Sequence, residues 1–276
     1  MSFYTSLSGL KGAQTDMSVI SNNIANASST GFKRSRAQFG DLFASSPTQS
    51  TRMVAGQGQR LNGIIQQFTQ GTLEASEKTL DLAIAGEGMF VVKGEPPREQ
   101  VTYTRNGAFT PTDDGHIVDT TGQKLQLLPV DASGNVTDRT LAGMTDFVLP
   151  AGAPSDPTSA LVNVSVGLDG LVTATFANGE GQVLGKVAMA SFPSMEGLRP
   201  VGDAHYQSTG ESGQPTIDAA TNGPMGTIRS GALERSNVDI TEELVLLIAA
   251  QRNFQANAKA IEGASTLTQT LINMRS

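Results

Sequence analysis

The sequence contains no cysteine and no tryptophan, and aromatic residues make up only 5% of its 276 positions. Without cysteine, the chain cannot form a disulfide bond, a thiolate metal site or a thiol nucleophile. A hydrophobic content of 38% is nevertheless enough for a core. We therefore predict a folded protein whose core consists mainly of aliphatic side chains. The absence of cysteine is consistent with both a cytosolic and an exposed location.

Basic residues and long apolar runs are also scarce. Lys and Arg together number 19 against 26 Asp and Glu, and the net charge is −7. The only local basic cluster, at Lys33, Arg34 and Arg36, is too small for a surface that follows nucleic-acid phosphates. No apolar run approaches the roughly 20 residues that span a bilayer, and the N-terminal segment lacks the features of a cleaved secretory signal. We expect no nucleic-acid partner, no membrane insertion and no cleaved signal peptide.

Few residues could support catalysis. The chain has 2 histidines: His116 follows an Asp-Gly turn, and we place His205 in a separate loop, so neither indicates an acid–base pair. The Gly-Gln-Gly sequence at 56–58 lacks the third glycine and the helix of a dinucleotide site. Glu242 and Glu243 fit the negative charge of a helix start. We predict no enzymatic activity, no cofactor and no metal site.

An apolar repeat of helical spacing is present at each end of the chain. Apolar side chains recur every three or four positions, which is the pattern of a coiled coil. Asp239 and Glu242 have the spacing of a capping box, so a helix of about 50 Å is predicted from Ile240 onward. The predicted stripes comprise Phe3, Leu7, Leu10, Met17, Ile20 and Ile24 near the N-terminus, and Ile240, Leu244, Leu247, Phe254, Ile261, Leu267, Leu271 and Met274 near the C-terminus.

Between these repeats, the pattern changes to short alternating runs separated by turns such as Asn106-Gly107 and Asp114-Gly115. We predict a mixed, mainly β fold, in which a central β-domain of antiparallel strands carries N- and C-terminal helices that pair as a coiled-coil terminal domain. The predicted divisions are 1–30 and 236–276 for the terminal domain, 31–75 for a connector with extended or hairpin segments, 76–128 and 160–235 for the β-domain, and 129–159 for a short insertion or reduced outer module.

Two matched stripes at opposite ends of one chain favour burial against each other and against neighbouring copies. A repeated contact that does not close into a ring generates a helical polymer; packing of each helix on its own domain is the alternative. We predict that the stripes form an assembly interface together with Asn22, Asn23 and Asn26, whose amides would bond between subunits. A solvated face is the alternative for these amides.

The helix-end motif is predicted at Thr30, Gly31, Phe32 and Lys33. Gly31 permits positive φ where the first helix ends, and Phe32 anchors the exit of the chain.

Several segments resemble bacterial flagellar rod and hook proteins. Residues 21–33, SNNIANASSTGFK, are similar to the N-terminal signature of that family, and residues 236–239 with 251–257, SNVD and QRNFQAN, are similar to its C-terminal signature. Residues 68–73, 80–86 and 103–109 also match. The resemblance implies a terminal coiled-coil domain, a connector and a β-domain. It also implies export through the flagellar type III apparatus without cleavage, and a place in the hollow, extracellular axial structure of the hook or basal body.

The resemblance further implies a list of partners and a specific role. The partners would be other copies of the chain, rod proteins, the hook cap, the hook–filament junction proteins and the export apparatus. The opening Met-Ser-Phe, the sequence FGDLF at 39–43, and the endings QRNFQAN and LINMR favour a hook subunit, which polymerises into the curved tube that transmits motor torque to the filament and serves motility. The alternative is the distal rod protein, because many hook proteins carry an outer β-domain for which this chain is too short.

Overall fold

The computed structural model describes residues 2–43, 56–95, 99–131 and 134–274. The chain divides into two compact units. The terminal unit comprises Met1–Ala27, Arg34–Gln67 and Val238–Ser276, and the β unit comprises Ser28–Lys33 and Phe68–Asn237. Among the described helices, none has the length and apolar character needed to cross a membrane.

Two antiparallel helices dominate the terminal unit: α1, Ser2–Ala25, and α2, Ile240–Asn273. Asp239 caps α2, as predicted, because its carboxylate accepts hydrogen bonds from the backbone N–H groups of Thr241 (2.8 Å) and Glu242 (3.2 Å). The helices run in opposite directions, since Gly9 lies against Asn257 while Asn23 contacts Glu243. The predicted pairing of the terminal helices is confirmed.

A β-hairpin completes the terminal unit. Strand β1, Ser35–Phe43, pairs antiparallel with β2, Gly56–Gln66, with a register shift after Gln38. The hairpin packs on α1, where the backbone N–H of Gln59 donates to the Ser8 hydroxyl. The predicted connector 31–75 is therefore divided: residues 34–67 belong to the terminal unit, and the remainder belongs to the β unit. Residues 44–55 of that prediction lie outside the described part of the chain.

The β unit contains the remaining strands, whose mutual pairings are all antiparallel, as predicted. The strands are β3 Leu73–Ala75, β4 Leu82–Ala85, β5 Met89–Lys93, β6 Val101–Thr104, β7 Thr110–Pro111, β8 Ile117–Val118, β9 Lys124–Leu128, β10 Thr145–Asp146, β11 Leu161–Val166, β12 Leu171–Phe176, β13 Gly181–Val187, β14 Met189–Ser191, β15 Arg199–Gly202, β16 His205–Gln207, β17 Thr216–Asp218, β18 Thr227–Ser230 and β19 Ala232–Glu234, with a 3-10 turn at Met195–Gly197.

The main sheet follows the order β11-β12-β13-β9-β5-β6-β16-β15, while β4 pairs with β18 and β3 with β19. Strand β5 lies inside this sheet, and its residues Met89, Phe90, Val91 and Val92 are all buried.

Residues 129–159, for which we predicted an insertion or outer module, are grouped with the β unit. Strand β10 pairs with β9, and Phe147 is fully buried in the main core cluster beside Phe90 and Phe109. A buried phenylalanine ties this segment to the core because removing such a side chain would leave a large cavity. Residues 132–133 lie outside the description.

Candidate assembly surfaces

The inner face of α2 follows a heptad repeat against α1. The α2 side chains that are buried or half-buried are spaced by three and four residues, apart from one adjacent pair, as in a coiled coil. Three predicted stripe residues, Leu247, Phe254 and Ile261, lie on this face. The complete set is Glu243, Leu247, Ala250, Phe254, Asn257, Ala258, Ile261 and Ala264.

The predicted residues of α1 also vary in burial. Ile20 is buried, Leu7, Leu10, Met17 and Ile24 are half-buried, and Phe3 is exposed.

Four residues predicted to belong to the α2 stripe lie elsewhere. Ile240, Leu244, Leu267 and Met274 are exposed, the last two by 68% and 80%. The stripe was predicted to be covered by α1 and by neighbouring copies, and α1 does not cover these four residues, so their place in an assembly interface stays a prediction. The inner face passes instead through Glu243, Ala250 and Asn257, whose polarity or small size gives a weak apolar signal. The side chain of Leu271 lies outside the described residues.

We use the term outer face for the ten exposed apolar or small residues of α2 that are named at the end of this paragraph. Val245 is 62% exposed and Ile248 51%. Farther along, small residues replace large ones, and a methyl group added to Gly263 would meet no atom within 4 Å. The outer face comprises Ile240, Leu244, Val245, Ile248, Ala249, Ala256, Ala260, Gly263, Leu267 and Met274. α2 is therefore apolar well beyond the side that contacts α1.

The three predicted interface asparagines differ in their surroundings. Asn23 is only 1% exposed, and its amide donates to the Ser35 carbonyl (2.8 Å) and to Glu243 Oε2 (3.1 Å). The prediction that Asn23 bonds between subunits was wrong, because its side chain is used inside the terminal unit. Asn22 is exposed, and Asn26 is half-buried and donates to the Asn22 carbonyl (3.0 Å).

The first turn of α2 carries a buried carboxylate. Glu243 is 1% exposed and forms an ion pair of 2.6 Å with Arg34, which also contacts Glu242 at 3.0 Å. Because Asn23 donates to the same Glu243 carboxylate, this group joins α1 and α2 to Arg34, which directly precedes β1. The sequence interpretation of Glu243 as simple helix-start charge missed this role.

The predicted helix-end motif belongs to the β unit. Gly31 has φ +69°, as expected, but α1 ends earlier, at Ala25. The positive φ of Gly31 instead serves a close approach, since its N–H donates to the Glu234 carbonyl (2.8 Å) and a side chain there would lie 2.5 Å from the Asn106 nitrogen. Thr30 and Phe32 are half-buried, and Lys33 is buried.

Lys33 contributes to an ionic cluster inside the β unit, which we call the Glu234 cluster. Its Nζ lies 2.7 Å from Glu234 Oε1, and Arg105 Nη1 lies 3.1 Å from Glu234 Oε2. The Gly71 N–H also donates to this carboxylate (2.8 Å). Burial lowers the pKa of Lys33, and the attraction of Glu234 offsets part of that decrease. Sequence analysis missed the cluster because Lys33 and Glu234 are 201 positions apart.

His205 forms a buried pair with a carboxylate of the β unit. His205 begins strand β16, contrary to the predicted loop, and its Nε2 lies 2.6 Å from Asp119 in a buried pair. Both the Asp119 carboxylate and the Asp203 carbonyl face its ring nitrogens, so the ring ties neighbouring loops together. Across the described ranges, no group of three or more metal-ligating side chains could hold a metal ion.

Three family descriptions match successive parts of the chain. "Flagella basal body rod protein" matches residues 3–33, "Flagellar hook protein FlgE/F/G D1 domain" matches 83–174, and "Flagellar basal body rod FlgEFG protein C-terminal" matches 229–274. The first and third contain the α1 and α2 segments of the terminal unit. The second runs through most of the main sheet.

Individual relatives include both rod and hook proteins. The flagellar basal-body rod protein FlgG of Bacillus subtilis is 32% identical, with coverage of 99% of this chain and 98% of the relative. FlgG of Caulobacter vibrioides gives the same identity and coverage. The flagellar hook protein FlgE of Escherichia coli is 25% identical over an alignment of 411 positions that covers both chains fully.

Among solved structures, the crystal structure of Helicobacter pylori flagellar hook protein FlgE2 aligns with a TM-score of 0.25 and 16% identity, over 51% of this chain and 36% of that one. This similarity is too low to support a structural argument. The matches in sequence, by contrast, extend over nearly the whole chain, and the family consists of structural components of the flagellum rather than enzymes. The chain belongs to the FlgE/F/G family of flagellar rod and hook proteins.

Proposed function

We propose that this chain is an axial subunit of the flagellum that polymerises through its terminal helices. The observation that carries the proposal is the outer face of α2. A helix that is apolar on several sides is normally buried on several sides, yet α1 covers only the inner face of α2. Other copies of the chain can cover the outer face. Every subunit of a helical polymer carries the same surface, and the symmetry that relates neighbouring subunits covers that surface in the same way each time.

The end of α2 supports the same proposal. The antiparallel register that pairs Gly9 with Asn257 and Asn23 with Glu243 places Ser2 beside Ala264. Beyond Ala264, residues 265–270 are all exposed, as are Ile272 and Met274. A helical segment of this length is marginal in water without packing. We infer that this segment packs on another copy.

Charged substitutions on the outer face test the proposal. Val245→Asp or Ala260→Asp in the full chain should prevent polymerisation, because assembly would bury an unpaired carboxylate. Val162→Asp is the matched control, since Val162 is 67% exposed, as Val245 is by 62%, but lies on β11 of the β unit. Sedimentation and electron microscopy would report polymers for the unmodified chain and the control only. Normal polymers of both outer-face variants would contradict the proposal.

The distal rod is one candidate for the position of the subunit. Its supporting observation is length: the FlgG relatives align with this chain end to end over about the same number of residues. The E. coli hook protein aligns over 411 positions, many more than the 276 residues of this chain. A rod subunit would form straight, stiff polymers.

The hook is the second candidate, favoured by the Met-Ser-Phe opening, the FGDLF sequence at 39–43, and the endings QRNFQAN and LINMR. A hook subunit would form curved polymers. Two experiments separate the candidates: the curvature of polymers seen by electron microscopy, and whether the gene rescues a strain that lacks its rod protein or a strain that lacks its hook protein. Rescue of the first strain with straight polymers assigns the rod, and rescue of the second with curved polymers assigns the hook.

We also propose that the subunit is exported through the flagellar type III apparatus without cleavage to an extracellular position in the axial structure. Its contacts there would be with rod proteins, the hook cap and junction proteins. The support is family membership together with the helical N-terminal segment, which contributes to the terminal unit as α1. N-terminal sequencing of the protein from isolated flagella should begin at Met1 or Ser2; a start after an internal cleavage would contradict this.

A further inference from the structure

Asparagine followed directly by glycine occurs at four places in the chain: 62–63, 106–107, 178–179 and 222–223. In such a pair, the backbone nitrogen of the glycine can attack the side-chain amide carbon of the asparagine, because glycine has no side chain to obstruct the approach. The attack converts the amide into a carboxylate without an enzyme. Its rate depends on whether the fold leaves the nitrogen and the amide free to meet.

Hydrogen bonds restrain two of these pairs. Asn106 is buried, and its Oδ1 accepts from the Ala108 N–H (3.1 Å). Asn178 Oδ1 accepts from the Glu180 N–H (2.9 Å), and the Gly179 N–H donates to a backbone carbonyl at 3.0 Å. These Asx turns hold both amides in place, and the bond from Gly179 also occupies the nitrogen that would attack.

A strand ladder restrains the third pair. Gly63 lies in β2 opposite Gln38 of β1. The Asn62 amide lies over Gly40, where its nitrogen would be 2.7 Å from an added Cβ atom. Ring closure requires the Asn62 backbone to rotate, and paired strands oppose this rotation because it would break their hydrogen bonds. The pair at 62–63 should therefore react slowly.

The fourth pair, Asn222 and Gly223, lies in an exposed turn between β17 and β18. The Met225 N–H donates to the Asn222 carbonyl (3.1 Å), and Gly223 has φ +57°, as the glycine of a tight turn does. The Gly223 N–H makes no hydrogen bond to any residue that the structure describes, and an added Cβ atom there would meet no atom within 4 Å. Asn222 Nδ2 donates to Asp218 (2.7 Å), which leaves the amide carbon open to attack.

We propose that Asn222 is a site of spontaneous deamidation, at which the folded chain acquires a carboxylate. The Gly223 nitrogen gives its proton to hydroxide and bonds to Asn222 Cγ. The Cγ–Nδ2 bond breaks, and Nδ2 takes a proton from water and leaves as ammonia. Water then opens the five-membered imide at either carbonyl, which gives an aspartate or an isoaspartyl linkage at position 222. The reaction needs only water and hydroxide, and it does not depend on polymerisation.

The new carboxylate would alter the contacts of Asp218. Its Oδ2 accepts from Asn222, and its Oδ1 accepts from Arg139 Nε (3.1 Å) and from the Ala219 N–H (2.8 Å). After the reaction, a carboxylate faces Asp218 in place of an N–H donor, so an attraction becomes a repulsion between like charges. We expect the modified turn to open more often and the Met225 amide to exchange its hydrogen faster.

Peptide mass spectrometry of the full chain, incubated at mildly alkaline pH, tests the site. The mass gain that accompanies replacement of an amide by a carboxyl group should appear at Asn222 about tenfold faster than at the other three pairs. In urea, where the fold restrains none of them, the four rates should agree within about threefold. Aspartyl and isoaspartyl peptides should both form, because only the imide gives the second product. Equal rates at all four pairs in the folded chain, or an intact Asn222 in a folded chain whose unfolded form reacts, would overturn the inference.

Substitutions separate the local chemistry from a general effect on folding. Gly223→Ala should slow the reaction at Asn222 about tenfold. Gly210→Ala, at another exposed glycine with no atom within 4 Å of an added Cβ, should leave the rate unchanged. Urea unfolding verifies that both variants fold. Asn222→Asp, which imitates the product, should speed hydrogen exchange of the Met225 amide. An undiminished rate in the Gly223 variant would also overturn the inference.

Discussion

Glu234 is a single buried carboxylate on which residues from three distant parts of the β unit converge. Lys33, Arg105 and the Gly71 N–H all contact it, and it is fully buried. A buried ion pair is weak evidence of net stabilisation, but removing one partner is costly because it leaves an uncompensated charge. Glu234 is the counter-charge of two cations, so removing it should lower the free energy of unfolding more than removing either Lys33 or Arg105.

Glu234→Gln tests this residue directly. The substitution preserves shape but leaves Lys33 and Arg105 buried without a counter-charge, so we expect the free energy of unfolding to fall by about 3–5 kcal/mol. Urea unfolding of the monomer measures it. Glu74→Gln is the control, because Glu74 pairs with Arg235 in an exposed ion pair that should matter little. Equal effects of the two substitutions would contradict the assigned role of Glu234.

The buried pair of Asp119 and His205 should make stability depend on pH. Burial alone would raise the pKa of Asp119, but hydrogen bonds from His205, Thr121 and the Gln123 N–H outweigh it and lower the pKa below its ordinary 3.8. A carboxylate with a lowered pKa stabilises the fold above its unfolded pKa, and this contribution is lost as the pH falls through the folded value.

We therefore expect Asp119→Asn to destabilise the protein by about 3 kcal/mol at pH 7. The difference from the unmodified chain should shrink as the pH falls below the ordinary Asp pKa of 3.8 and through the lowered pKa of Asp119, because the unmodified carboxylate then loses its charge. Urea unfolding at pH 7 and at a series of pH values below 3.8 checks this, with Asp113→Asn at an exposed turn as the control. A difference that stays constant with pH would count against the ionised pair.

For individual residues, only local features could be predicted from the sequence. The positive φ of Gly31 follows from its residue type, and the cap at Asp239 follows from its spacing to Glu242. The partners of Lys33 and His205 could not be predicted, because the fold brings together positions that are far apart in the chain.

Among the elements, α2 has one face that is packed and a glycine whose surroundings are empty. The inner face of α2 packs on α1. Gly263 lies in the interior of α2, and a methyl group added to it would meet no atom within 4 Å. Glycine inside a helix costs about 1 kcal/mol relative to alanine. In the isolated chain this cost has no compensation, but close approach of a neighbouring helix would explain it.

Gly263→Ala should have opposite effects on the monomer and on the polymer. In the monomer, we expect the substitution to increase the stability of α2 by about 1 kcal/mol, measurable by hydrogen exchange of its amides. In the polymer, the same methyl group should weaken assembly and raise the critical concentration, because it occupies the space of a neighbour. Gly63→Ala, in strand β2, is a control at another open glycine. Stronger assembly of the Gly263 variant would contradict a close contact at the outer face.

Both helices and the antiparallel character of the β unit could be predicted because heptad spacing and Asx-Gly turns are local signals. The inner face of α2 also includes Ala250 and Asn257, which carry little apolar signal and were not predicted, whereas Ile240 and Leu244, which carry much, are exposed. The apolar spacing alone does not divide the residues of α2 between the side that α1 covers and the side that it leaves exposed.

For the whole molecule, the exposed apolar surface and the main core lie in different units. The terminal helices pack together in the terminal unit, and residues 28–33 and 68–237 form the β unit with its own core. Exposed apolar surface is concentrated on α2 of the terminal unit. This distribution is expected when one part of a subunit must hold a polymer together and the other must fold independently.

The most direct test is an electron cryomicroscopy map of the polymer formed by the full-length chain. The account predicts a helical tube in which Val245, Ala260 and Leu267 of each copy are buried against a neighbouring copy. A map in which these side chains face solvent, or a purified chain that remains monomeric under all conditions that assemble its rod and hook relatives, would contradict it.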